Sequence, residues 1–137
     1  MFDRWSVLAW LNMPAGQLWA GRIVSGLVTA FMLLDGVMKV IKAAPAVEGT
    51  VKVGYPESTV VGIGIALTIS TLLYMLPRTS ILGAILLTGY LGGAVATNVR
   101  VSAGPLFIVL PVLFGALAWV GLWLRDARLR HLLPLSS

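Results

Sequence analysis

Asp35 and Lys39 stand four residues apart inside an otherwise apolar run, VTAFMLLDGVMKV. On a helix that spacing puts both side chains on one face. The acid lies N-terminal to the base, the favourable order for an ion pair. A charge near the middle of a bilayer is costly, and it usually faces a protein interior or a polar cavity. Two readings follow. Either the pair neutralises itself and pins its helix, or it lines a polar cavity for a head group, a proton or a small polar ligand. Lys39 beside it argues against Asp35 as a proton carrier. Arg22 lies ahead of that stretch, near the start of the longer apolar segment at about 17–41, where its long stem can carry the charge to the membrane surface.

Tyr90 is the next group able to do chemistry. It sits in TGYLGG, residues 88–93, where a phenol at membrane depth needs a hydrogen-bond partner. A partner on another helix is the plain expectation, and a ligand is the alternative. Gly89 and Gly93 share one helical face, and Gly92 begins a second small ridge beside it. In lipid, helices associate through close packing that small residues permit. The face is expected to pack against the chain's other helices. A homodimer seam and a slot for a flat ligand are the alternatives. Asn98 and Arg100 close the same run. Asn98 is expected to cap the helix, with a bond to the GYPES loop or a place in a site as alternatives, and Arg100 to lie at the interface.

Residue types also exclude chemistry. The chain has no cysteine, so dithiol exchange, disulfides and thiolate-held metal centres cannot be built from it alone. Its one histidine, His131, lies in the C-terminal tail, which rules out bis-histidine haem ligation. Methionines here are read as packing or lipid-facing side chains. No metal site and no catalytic residue is assigned. No cofactor is held by this chain alone, and quinone stays open as a ligand.

The elements that must position these groups are membrane helices. The 137 residues are 58% hydrophobic and 11% charged, with mean hydropathy +0.95. A soluble domain carries about 25% charged residues, so this chain has too little polar surface to cover a water-soluble globule. A bilayer-spanning helix needs about 20 apolar residues. Four runs qualify, at about 17–41, 56–76, 80–99 and 105–124. The fold class is all-α, a single membrane domain folded as a bundle of four transmembrane helices.

Boundary residues agree with that division. Pro14, Pro56 and Pro105 stand near helix starts, and Thr79 or Ser80 is placed to cap the third helix. The link through Pro77 and Arg78 is so short that the second and third helices form an antiparallel hairpin. Pro111 is expected to kink the fourth. Residues 42–55 form the longest connection. Ahead of the first span, Val7 to Leu11 is too short for a signal sequence and reads as an interfacial segment with Trp5 and Trp10 at headgroup level.

The net charge of +5 is read as orientation and headgroup contact; with no soluble basic face, nucleic acid is not an expected partner. Arg4, Arg22, Arg78, Arg125, Arg128 and Arg130 fall on one side, against Lys39, Lys42, Lys52 and Arg100 on the other. By the positive-inside rule both termini face the cytoplasm. The expected partners are the lipid bilayer and a partner protein or further copies of the chain.

The segments GLVTAFMLLDGVMKVIKA, GYPES, LLYMLPRTSILGAILLTGYLGGAVATNVR and WVGLWLRDARLRHLLPL resemble the DoxX-like family of small four-helix bacterial membrane proteins. DGVMK, GYP, YxxPRT and LLTGYLGG are the most specific pieces, in the family's order. The resemblance implies a multi-pass protein of a bacterial cytoplasmic membrane. The wider DoxX/DoxD group is associated with membrane redox work, including a thiosulfate:quinone oxidoreductase subunit. It thus implies an accessory subunit, or a binding protein for a hydrophobic ligand or partner. A quinone-linked oxidoreductase subunit and a small oligomeric transporter are the alternatives. Family members commonly read ATHVR where this chain reads ATNVR, and many carry a second-helix glutamate that GIGIALTIS lacks. Asn98 can hydrogen-bond but cannot shuttle protons near neutral pH, which weighs against an enzyme on this chain alone.

Overall fold

A computed structural model describes residues 15–132. The interfacial segment expected at Val7 to Leu11 and the tail beyond residue 132 lie outside them. The described chain is helical throughout: α1 Ala15–Val40, α2 Ala44–Lys52, a 3-10 turn Glu57–Thr59, α3 Val60–Met75, α4 Ser80–Arg100, α5 Pro105–Arg125 and α6 Ala127–Leu132. Four of these segments are long and apolar enough to cross a membrane: α1, the 3-10 turn with α3, α4 and α5. The protein is a multi-pass membrane helix bundle.

The helix ends follow from local chemistry. α1, α2 and α4 each stop in a Schellman turn, with a left-handed residue after the last helical turn. These residues are Lys42 (φ 55), Gly54 (φ 98) and Ser102 (φ 52). The matching bonds run from Ala43 N–H to Met38 O, from Tyr55 N–H to Thr50 O and from Ala103 N–H to Asn98 O. Pro105 opens α5, where its missing N–H costs nothing. Thr79 occupies the position before α4 but makes no side-chain cap. Its hydroxyl donates to Leu73 O at 2.8 Å instead, which ties off the end of α3.

α2 departs from expectation. Residues 42–55 are not an open connection, because nine of them form a helix. Pro45 suits its first turn, and Ala46, Gly49 and Thr50 fall on one face.

Around the bundle, α1 packs on α3 and α5, and α4 packs on α3 and α5. α1 and α4 therefore face each other across a diagonal. The core joins Val28 and Met32 of α1, Leu67 and Tyr74 of α3, Leu87 and Leu91 of α4, and Ala118 and Leu122 of α5. Large apolar side chains such as Ile23, Leu27, Val109 and Val112 point outward, as a lipid-facing surface requires.

The close helix contacts are made by glycines, but not by those of TGYLGG. A Cβ on Gly83 would fall 2.1 Å from Tyr74 N, and one on Gly64 2.8 Å from Gly36 O. On Gly121 it would fall 2.6 Å from Ser25 Oγ, and on Gly21 2.8 Å from Arg125 N. At Gly89, Gly92 and Gly93 it would meet nothing within 4 Å. Among the described residues, no side chain or backbone of another helix therefore packs directly on these three glycines.

Candidate functional site

The diagonal between α1 and α4 does not close at the end of the bundle that carries α2. It leaves a cavity of about 450 Å³. Asp35 and Lys39 of α1 line one wall; Gly89, Tyr90, Gly93, Ala94, Thr97 and Asn98 of α4 line the other. α2 covers the space with Pro45, Ala46, Gly49 and Thr50, and Ile63 of α3 closes one side. The open face of TGYLGG is thus a cavity wall. Without side chains at Gly89 and Gly93, it is a flat apolar surface of backbone.

Lys39 holds the polar side together. Its ammonium donates to Asp35 Oδ2 at 2.8 Å and to Tyr90 Oη at 2.9 Å. The second bond crosses the diagonal. The Lys39 side chain is 15% exposed and that of Asp35 38%. Because the pair is net neutral, the wall offers hydrogen bonding without net charge. Tyr90 accepts from Lys39, and among the described residues no acceptor takes its own hydroxyl proton. A ligand oxygen in the cavity is a natural acceptor for it.

Asp35, Lys39, Tyr90 and Asn98 are therefore brought together, while Arg22 and Arg100 are not. Arg22 is exposed near the opposite end, with its guanidinium 5.5 Å from the Trp19 ring centroid. Arg100 lies outside the cavity and donates to Val53 O at 3.4 Å. Asn98 does not cap through its side chain. Its amide donates to Ala94 O at 2.9 Å, a bond within its own helix turn. Thr97 and Arg100, not Asn98, reach the 53–55 segment, with Thr97 Oγ1 and Tyr55 Oη 3.0 Å apart. Sequence reasoning missed α2, Tyr55 and Thr97. The available signal was Pro45 followed by small residues at helical spacing.

A second polar cluster at the other end holds the fold. Tyr74 is fully buried and donates to Ala118 O at 2.6 Å. Its ring lies under Arg125, with the guanidinium 4.9 Å from the centroid. Arg125 donates to Tyr74 O and to Ser25 Oγ. Asp126, 2% exposed, caps α6 by accepting from Arg128 N–H at 2.9 Å, and its carboxylate also takes the Arg128 guanidinium. That guanidinium reaches on to Pro77 O. Arg128 thus clamps the α3–α4 link, and Arg125 the last turn of α3. Asp126→Ala is expected to lower stability by about 1–2 kcal/mol, the range of a lost helix cap. A fall in the thermal midpoint of the detergent-solubilised protein checks this, and an unchanged midpoint would remove the clamp's stabilising role.

Among the described residues, no group of three histidine, cysteine or acidic side chains is placed to hold a metal ion. A profile of the DoxX-like family matches residues 23–121 of the chain, a stretch that contains the diagonal cavity and α2. No curated protein and no solved structure matches it.

Proposed function

Given that the chain belongs to the DoxX-like family, we propose that it is a membrane binding protein whose site is the cavity between α1 and α4. Its ligand is a small amphipathic molecule with an apolar body and an uncharged head that accepts a hydrogen bond. The observation that carries this reading is the Lys39 bridge between Asp35 and Tyr90. It leaves a phenol proton at a cavity whose α4 wall, beside Tyr90, is made of small and short polar residues, Gly89, Gly93, Ala94, Thr97 and Asn98. A net-neutral wall favours a neutral head over an ion, because an ion would surrender its hydration without gaining a counter-charge.

A quinone head group is one member of this class, and the residues present fit it. Tyr90 would donate to a ring carbonyl, and the Gly89–Gly93 face would accept the flat ring. Bound quinone would supply two-electron redox chemistry; Tyr90 and the Gly89–Gly93 face would bind and orient it.

We read the end that carries Arg22, Arg78, Arg125 and Arg128 as cytoplasmic, from the six-to-four excess of basic residues that Arg4 and Arg130 complete in the sequence. The cavity end then faces away from the cytoplasm.

The test is native mass spectrometry on protein extracted in mild detergent, with organic extraction of whatever is retained. A stoichiometric amphiphile is expected in the parent protein. Tyr90→Phe should retain about a tenth as much, the loss expected for a hydrogen bond near the top of the usual net range. Bare parent protein that also shows no thermal shift with a short-chain ubiquinone or menaquinone analogue would refute the reading.

A further inference from the structure

We propose that α2 is a hinged lid over this cavity, latched to α4 by Tyr55 and Arg100; the inference rests on the binding reading above. Four observations carry it. First, α2 is set off from its neighbours by left-handed residues, Lys42 before it and Gly54 after it. Each ends a helix, so the segment between them is a helix of its own rather than a continuation of α1. Second, α2 has nine residues, too few to hold a helix in water without packing. Third, its inner face consists of small groups that lie over the cavity: Ala46, Gly49 and Thr50. Thr50 is 6% exposed and Ala46 half-buried, while Gly49 stays open at the cavity's edge, so the Thr50 side of the face is covered when the lid is down.

The fourth observation is the latch. Beyond α2, the 53–55 segment is fastened to the end of α4 by two side-chain bonds. One joins Tyr55 Oη and Thr97 Oγ1 at 3.0 Å; the other runs from the Arg100 guanidinium to Val53 O at 3.4 Å. Both are exposed, so water can replace either partner when the lid lifts. At its base, Lys42 and Glu57 lie 4.0 Å apart and exposed, a weak tie across the two hinges. A lid that is covered within, marginal by itself and held by water-replaceable bonds opens without disturbing the four-helix core.

The chain lacks cysteine, so a single introduced thiol reports one position. In the full chain in proteoliposomes, Thr50→Cys places a thiol under the lid. Its rate of modification by a water-soluble maleimide reads lid opening. Thr71→Cys, fully buried within the bundle, serves as the closed reference, and Lys52→Cys, on the exposed side of α2, as the open one. Thr50→Cys is expected to react at a rate between the two. Adding Tyr55→Phe should speed it about fivefold, the population change for one lost net hydrogen bond. Adding Arg100→Gln as well should speed it further. In a separate Tyr55→Cys/Thr97→Cys protein, with Thr50 unchanged, a short bis-maleimide should hold the lid down and slow release of a bound short-chain quinone analogue.

A Thr50→Cys rate equal to that of Thr71→Cys, with or without the latch bonds, would overturn the lid. So would a rate indifferent to Tyr55→Phe and Arg100→Gln together. The labelling needs no ligand. Its failure therefore leaves the binding reading standing, whereas bare protein in the mass spectrometer would remove the binding reading and leave a moving α2 intact.

Discussion

Replacing Gly83 with alanine is expected to force α3 and α4 apart and to be among the most damaging single changes in the bundle. The new Cβ would lie 2.1 Å from Tyr74 N, 2.5 Å from Tyr74 Cα and 2.7 Å from Leu73 C. All three are backbone atoms of α3 and cannot swing aside as a side-chain end would. The short link between the helices gives little slack, so the strain passes to Tyr74. That residue is fully buried, donates to Ala118 O and sits beneath Arg125. Overpacking a core costs about 1–3 kcal/mol. Gly83→Ala belongs at or above the top of that range, because the obstacle is backbone. Thermal unfolding in detergent measures it. Gly92→Ala, which meets nothing within 4 Å, is the matched control. It is expected to be neutral or to gain up to about 1 kcal/mol of helix propensity. Equal midpoints for the two variants would refute the contact.

That contrast shows what was legible in the sequence. The four long helices were, because lipid leaves a backbone only helices or closed barrels, and runs of about 20 apolar residues select helices. The Asp35–Lys39 pair was legible too, since helical spacing alone sets it. Which side of α4 faces inward was not. In a soluble helix the polar face marks the outside, but in lipid both faces are apolar. The buried residues of α4 are Ser80, Gly83, Ala84, Leu87 and Leu91, a stripe at the same helical spacing as the one TGYLGG suggests. Two stripes that both contain small residues, one of them continued by Leu87 and Leu91, cannot be ranked without knowing the helix's rotation. The more conspicuous stripe proved to be the one left open.

α2 was hidden for a different reason. Nine residues containing Pro45 and Gly49, bounded by Gly54, carry the composition of a loop. Their helix depends on packing over the cavity, a tertiary effect that local propensity does not record. The tail arginines were read as orientation charges. The further use of one of them, Arg128, which donates to both the buried Asp126 carboxylate and the Pro77 carbonyl of the α3–α4 link, depends on tertiary contact.

Removing Asp35 alone is expected to cost more than removing Asp35 and Lys39 together. Asp35→Asn strips the Lys39 ammonium of its carboxylate while the side chain stays 15% exposed. The Tyr90 hydroxyl is then its main remaining partner. Breaking a fully buried pair costs about 3–5 kcal/mol. Asp35 is 38% exposed, so solvent screening reduces the expectation to about 2 kcal/mol. Asp35→Asn/Lys39→Met removes both charges and keeps the length of the lysine stem, so it should recover most of that loss. Thermal midpoints of the parent, both single variants and the double give the coupling directly. If the double is no more stable than Asp35→Asn, the ion pair is not what pins α1. If it is as stable as the parent, charge is not needed for folding, since an apolar pair serves equally well. The double variant then becomes the cleanest probe of the cavity. It keeps the bundle and the glycine wall but loses the ammonium that orients Tyr90. Loss of the retained amphiphile from a protein of undiminished stability would tie the pair to binding rather than to architecture.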